Sequence, residues 1–308
     1  LFIFVGMKHY WAMQNRFVHN YWVLLVGIMS VMLVLPACDE ELPPINMTEK
    51  VKPLLDTAYQ GSIPTAQTKN VLLMDITGVR CNNCPKAAKL AYQISDDNPG
   101  RVAIMALYPS TPLLLTLPWP GYDTLVTPEA QQIATSLGSV GQLPLGSIDQ
   151  TSVGGTRLID RSLWSSTVTD RLKKSTPFNI QLKSSWENDS NRSRVEVKVI
   201  ANQMVPAASK MMIGILEDGI KSKQSDAEDT VGVKGIVEDY EHNHALRTVI
   251  GSTSGFPISS NLPAGWVIEK HFYFSPRPLW KPEKMTVIVW IYDEVTKEVF
   301  HVQYVKLK

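Results

Sequence analysis

The 308-residue sequence contains only three cysteines, Cys38, Cys81 and Cys84. That is too few for a disulfide-rich scaffold, and with no second Cys-x-x-Cys pair a four-cysteine zinc site is excluded. Charge of one sign is also missing. Thirty basic residues balance 29 acidic ones, for a net charge of +1, and no basic cluster is large enough to suggest nucleic acid as a partner. No phosphate-binding Gly-rich loop, Ser-His-Asp order or paired-carboxylate site stands out, which argues against nucleotide and hydrolase chemistry. No repeat at solenoid spacing is present, and no apolar run after Leu35 is long enough to span a bilayer. No residue set calls for a bound cofactor or a dedicated metal.

Two of the three cysteines form the most informative feature. Val71-Leu72-Leu73-Met74-Asp75-Ile76 reads as a buried strand, Thr77-Gly78-Val79-Arg80 as a turn, and Cys81-Asn82-Asn83-Cys84 opens a segment with helical apolar spacing at Ala87, Ala88, Leu90, Ala91 and Ile94. A Cys-x-x-Cys at the start of a helix just after a strand resembles the thioredoxin fold. The helix dipole and its free N–H groups favour a thiolate there, and neighbouring Arg80 adds positive charge. Cys81 is therefore the expected nucleophile and Cys84 the resolving thiol. Pro85 fits the first helical turn, whose N–H groups lack intrahelical partners anyway. A static disulfide, a chance pair, or half of a Cys2His2 zinc site completed by His242 and His244 are the other readings of the same residues.

The third cysteine has a different explanation. Tyr21 to Leu35 is an apolar run of about fifteen residues, the length of a signal-peptide core, preceded by Arg16. Leu35-Pro36-Ala37-Cys38 resembles a bacterial lipobox, so cleavage is expected before Cys38, which would carry the lipid; a short membrane anchor is the alternative. Asp39-Glu40-Glu41 resembles the surface-export signal of Bacteroidetes lipoproteins, or else starts a solvated tether.

The expected organisation is a signal peptide over 1–37, a lipidated N-terminus and tether over 38–68, a thioredoxin-like α/β domain over 69–174, and an all-β, immunoglobulin-like sandwich over 175–308. In the α/β part, Arg101 to Tyr108 reads as a parallel strand covered on both faces, completing a βαβ unit. Pro109 to Pro128 is a Pro- and Leu-rich insertion with Trp119 and Tyr122, read as a lid or partner surface or as a plain surface loop. Thr127 and Pro128 cap a short helix to Leu137, closed by Gly138. Leu143-Pro144 stands where thioredoxin folds place a cis-proline facing the disulfide, making both residues candidate substrate-binding positions. Ser162 to Lys174 reads as a closing helix. After Pro177 the apolar pattern alternates with period two, as at Phe178–Leu182 and Val195–Val199, with further strands expected at 211–216, 235–237, 245–250, 266–274, 285–292 and 299–305. Lys183 to Arg194 and Lys221 to Asp229 read as polar connections.

Three further features have plain alternatives. His242 and His244 would face one side of a strand, as a metal or carboxylate site or as a hydrogen-bonded sheet surface. Trp266, Tyr273, Trp280 and Trp290 would form a sugar or peptide patch, or core. Asp56-Thr57-Ala58, Asp123-Thr124-Leu125 and Asp229-Thr230-Val231 match a short O-glycan acceptor pattern that also arises by chance.

Taken together, the lipobox at Cys38, Asp75-Ile76-Thr77-Gly78-Val79-Arg80-Cys81-Asn82-Asn83-Cys84-Pro85, Leu143-Pro144-Leu145-Gly146 and Glu241-His242-Asn243-His244-Ala245-Leu246-Arg247 resemble the lipoproteins of Bacteroidetes related to the twenty-eight-kilodalton outer membrane protein. The resemblance implies a thioredoxin-like domain followed by a β-sandwich, anchored at the outer membrane and facing the periplasm or the surface. Leu145 departs from the small polar residue expected after the proline. Two functions follow as expectations. One is thiol–disulfide exchange on envelope protein partners, which requires an accessible Cys81. The other is a non-enzymatic surface binding protein or adhesin in which the thioredoxin-like part is scaffold.

Overall fold

The computed structural model describes residues 56–228 and 235–308. The expected signal peptide, Cys38, the tether up to residue 55 and the Asp229-Thr230-Val231 triplet lie outside the described residues; the rest of the expected tether is described and includes a short strand at Thr57–Gln60.

The chain forms β2 (Val71–Ile76), α1 (Cys84–Asp96) and β3 (Val102–Leu107) as a βαβ unit, with β2 and β3 parallel in register from Val71–Val102 to Ile76–Leu107. Both strands are buried along their whole length, which is why neither shows alternation. Odd and even positions face different cores. Val71, Leu73, Val102 and Ile104 pack on Ala87, Ala91 and Ile94 of α1 and on Trp164 and Val168 of α4 (Trp164–Leu172). Leu72, Met74, Met105 and Leu107 pack on Ala130, Ile133 and Ala134 of α3 (Pro128–Leu137). Helix α3 starts as expected, with Thr127 Oγ1 accepting from Ala130 N at 3.1 Å. Strand β4 (Leu145–Ile148) runs antiparallel on the free side of β2. Gly146 in β4 has a packing cause: a Cβ there would sit 2.1 Å from Trp164 Nε1.

The second half contributes β5 (Phe178–Glu187), β6 (Arg192–Ala201), β7 (Ser209–Glu217), β8 (Ile220–Ser225), β9 (Ile236–His242), β10 (Ala245–Val249), β11 (Phe256–Ile258), β12 (Trp266–Phe274), β13 (Met285–Asp293) and β14 (Val299–Lys306). A four-stranded antiparallel sheet runs β1 (Thr57–Gln60), β12, β6, β5. It faces β7, β13 and β14 over a core of Phe178, Val195, Val197, Ile213, Ile215, Phe272, Val287 and Val289.

Residues 173–177 connect α4 to β5, and the parts of the chain on either side share a sheet. Its order is β14-β13-β7-β10-β3-β2-β4, with β11 also beside β7. β10 lies parallel to β3 through Ala245 and Ala106, and Ala106 N donates to His244 O at 2.8 Å. This pairing covers what would otherwise be an open, fully apolar strand edge. The described residues accordingly belong to one compact unit. A buried ion network reinforces the junction. Asp149 after β4 accepts from Lys69 Nζ (2.8 Å) and Arg171 Nε (3.0 Å), and Arg171 reaches Glu298 (2.9 Å). Lys69 also donates to the carbonyls of Val299 and Phe300 at 3.1 Å.

Three expectations are corrected. Lys183–Arg194 is mostly strand, since β5 and β6 pair from Phe178–Ala201 to Glu187–Arg192 around a short turn. Lys221–Asp229 begins as strand β8, whose Ser222, Gln224 and Ser225 are buried; its polar burial is balanced by hydrogen bonds, which no apolar pattern announces. His242 and His244 do not share a strand face. β9 ends at His242, β10 starts at Ala245, and His244 between them has φ +56°.

Candidate functional site

The strand β2 delivers Thr77-Gly78 to the end of the sheet, where the chain turns before α1. Gly78 is required by crowding: a Cβ would lie 2.4 Å from Leu115 O and 3.0 Å from Leu143 Cδ1. The turn is closed by Cys81 N to Gly78 O at 3.0 Å and Cys84 N to Cys81 O at 3.2 Å. Cys81 and Cys84 form a disulfide. The helix begins at Cys84 rather than at Asn82, so Cys81 sits in the turn that precedes it. The Leu143–Pro144 bond is cis, and Leu143 packs at the edge of the α3-side core, in contact range of the Gly78 position. Leu145, apolar where a small polar residue is expected, is itself part of that core.

The disulfide is covered. Cys81 and Cys84 are each 2% exposed, although Asn82 and Asn83 between them are exposed. Two segments form the cover. From one side comes the insertion, in which α2 (Leu113–Thr116) presents Leu115 O to Arg80 N at 2.9 Å and Trp119 Nε1 donates to Val79 O at 3.3 Å. Arg80, expected to sit beside the Cys81 sulfur, instead donates to Leu117 O and Pro118 O, both at 2.9 Å, and stacks on Trp119 with 4.3 Å to the ring centre. From the other side comes the end of β8. Ser225 N donates to Val79 O (2.9 Å) and Ala227 N to Asn82 O (3.0 Å). Gln224 Nε2 reaches Gly78 O (3.2 Å) and Cys81 O (3.0 Å). Exposed Lys86 and Glu228 pair at 2.7 Å outside them.

Against Cys84 lies a small, partly open cavity of about 20 Å³ walled by Asp75, Cys84, Tyr92, Tyr108, Tyr240 and His242 among others, about the room one water needs. Asp75 is buried, and its Oδ1 has no hydrogen-bond partner among the described residues. Burial raises its pKa to about 7. His242 is buried too; its Nδ1 lies 2.9 Å from Tyr108 Oη, its Nε2 is unpartnered among the described residues, and burial lowers its pKa to about 4. The sequence reading missed Asp75 as a site residue. The available signal was a carboxylate inside an otherwise apolar, fully buried strand run six positions before the first cysteine.

Other candidates disperse. His244 faces Asp218 at 3.2 Å and meets the Tyr92 ring edge-on, but does not itself line the cavity that His242 lines. Trp290 is buried in the core beneath α3, whereas Trp266 and Trp280 pack against the sandwich core and Tyr273 lies under Arg192. They form no common patch. Both site cysteines are bonded to each other, so they offer no thiolates for a shared zinc site.

The family model for Outer membrane protein Omp28 matches residues 131–308, more than half of the chain. No curated protein matches. Among solved structures, HBP35 of Porphyromonas gingivalis is similar in fold, with TM-score 0.60 at 14% identity over 80% of this chain and 77% of that one. A domain of the outer membrane lipoprotein Omp28 from Porphyromonas gingivalis is 19% identical over 43% of this chain and 89% of that one, with TM-score 0.30. Among the described residues no helix is long and apolar enough to cross a membrane.

Proposed function

We propose, starting from the fact that the chain belongs to the Omp28 outer membrane protein family, that it is a lipoprotein held in the outer membrane through Cys38 and carrying a gated thiol–disulfide centre at Cys81 and Cys84. The α/β part supports a thioredoxin-like reading. Its strands run β3-β2-β4 with β4 antiparallel, α1 starts at the second cysteine of the pair, and Pro144 precedes β4. The single observation that carries the redox reading is Asp75. A buried carboxyl without a partner destabilises the fold at neutral pH, and such groups concentrate at functional sites. A disulfide serving only as a staple has no use for it.

The chemistry is disulfide exchange with a dithiol of an envelope protein. A partner thiolate attacks Cys81 Sγ, the Cys81–Cys84 bond breaks, and Cys84 Sγ leaves with the electron pair. The proton it takes comes from the Asp75 carboxyl across the cavity. The partner's second thiolate then displaces Cys81, so the partner leaves oxidised by two electrons and the pair is reduced. Run in reverse, Cys81 is the attacking nucleophile. Leu143 and Pro144 would line the partner's approach. Because both sulfurs are covered, the Gln224–Ala227 segment has to lift before the first attack.

The test is the reduction potential of the pair in glutathione and dithiothreitol buffers, with alkylation of Cys81 after reduction. A potential within roughly −270 to −120 mV supports exchange. A value below about −300 mV, with unfolding on reduction, makes the pair a staple. The burial of both sulfurs favours a second reading, a non-enzymatic binding protein. That reading expects Cys81→Ser with Cys84→Ser to leave partner binding intact, and loss of binding in a folded double variant removes it.

A further inference from the structure

The insertion that roofs one side of the disulfide is unusual in composition and in what it exposes. From Val102 to Tyr122 there is no Asp, Glu, Lys or Arg, although one residue in five of the chain is charged. Inside this stretch Leu113 is 57% exposed, Leu114 79% and Leu117 37%. These are three of the large apolar side chains left open in the described structure, and they fall within five residues of each other. Half-buried Trp119 and Tyr122 flank them. The loop is also fastened. Arg80 binds the carbonyls of Leu117 and Pro118, Arg80 N binds Leu115 O, and Trp119 binds Val79 O. The leucines therefore project from a held platform and stay exposed at the cost of continuous hydration.

We propose that this loop is a membrane-interface contact, with Leu113, Leu114 and Leu117 dipping into the outer-membrane lipid surface and Trp119 and Tyr122 at headgroup level. Three observations favour lipid over a protein partner. Aliphatic tips backed by Trp and Tyr match the interfacial pattern of peripheral membrane contacts, the cation at their base, Arg80, being stacked on Trp119 and bonded to the carbonyls of Leu117 and Pro118. The loop tip offers no charged group to set a register against a protein surface, as a specific protein interface would need. The chain is an outer membrane family member, and with the lipid on Cys38, as in the proposed function, Asp56 lies 18 positions along the chain from the anchor. Fully extended, that length spans at most roughly 65 Å, so the folded part stays close to the bilayer. The consequence for the site is orientational. Because the same loop binds Val79 and Arg80, contact with lipid turns the disulfide rim toward the membrane and selects partners presented at its surface.

The test uses the full lipidated protein in phosphatidylethanolamine–phosphatidylglycerol vesicles. Cys81 and Cys84 are paired and Cys38 is acylated, so Leu114→Cys adds the sole free thiol, which takes a nitrobenzoxadiazole label. Leu279→Cys, at a site 78% exposed elsewhere on the surface, is the control. The expected result is a blue-shifted label at 114 quenched about twofold or more by doxyl lipids, with the label at 279 unchanged. Equal quenching at both positions, or at neither, overturns the proposal. A shift at 114 that appears only on adding envelope proteins, with no lipid quenching, overturns it in favour of protein docking. Flotation of the vesicles scores the Cys38 anchor separately, and no redox step is read, so failure of the functional reading is distinguishable from failure of the loop.

Discussion

Replacing Asp75 with Asn should stabilise the oxidised protein increasingly as pH rises. In the native fold the carboxyl titrates at about 7, against 3.8 in the unfolded chain. The folded state therefore holds a proton that the unfolded state has lost across that window. Stability is fully present below pH 3.8 and is lost as pH rises through 7. At about 1.4 kcal/mol per pH unit, the buried Asp75 carboxyl costs about 4 kcal/mol of stability at pH 8 and about 2 kcal/mol at pH 5, where the fold keeps it protonated while the unfolded chain ionises it. The asparagine variant escapes both. Its own fixed penalty for an unpaired amide does not depend on pH, and His242 titrates in both proteins. The stability difference, variant minus wild type, should then grow by about 2–3 kcal/mol from pH 5 to pH 8, or roughly 5–10 °C in Tm for a chain of this size. The assay is urea unfolding of the oxidised protein at four pH values, with equal m-values as the check that the denatured state is unchanged. A difference that is flat with pH would refute the reasoning, because it would mean that Asp75 is ionised and satisfied in the fold. It would also remove the proton donor from the proposed exchange.

Three further outcomes follow from the same structure. Gln224→Ala removes the amide that ties β8 to Gly78 O and Cys81 O, so dithiothreitol should reduce the disulfide several-fold faster in stopped-flow assays, with Tm lowered by only a few degrees. Asp149→Ala leaves buried Lys69 without its counter-ion and should cost about 3–5 kcal/mol in urea unfolding; an effect below about 1 kcal/mol would deny that the network joins the two halves. His242 and His301 have pKa values lowered by burial to about 4 and about 3. Their contribution is intact above pH 6.5 and falls away as pH drops toward those values, so acid unfolding of His301→Gln should be shifted to lower pH than wild type.

Much of the fold was legible because its signals are local. The apolar run Val71–Ile76 followed by helical spacing from Ala87 gave the βαβ unit, Thr127-Pro128 gave the start of α3, and period-two alternation gave β5, β6 and most later strands. The Cys-x-x-Cys pair and Leu143-Pro144 marked the place of the candidate site from residue type alone. What stayed hidden was set by partners distant in the chain. β1 and β8 carry no apolar pattern, since β1 is an exposed edge strand and β8 is buried through hydrogen bonds. The meeting of β10 with β3 depends on two alanines that permit close approach, Ala245 and Ala106, and no periodicity encodes which edge a strand will choose.

Sequence by itself determined the chemistry available to this protein: two thiols spaced to form a small ring and, beside them, a leucine-rich insertion without charge from Pro109 to Tyr122. Tertiary structure decided whether that chemistry is open to solvent. Strand β8 lies about 140 residues beyond Cys81, yet its backbone and Gln224 close over the disulfide, and the fold also buries Asp75 where water cannot fully solvate it. Covalent spacing is a property of neighbours in the chain, whereas exposure and dielectric are properties of neighbours in space.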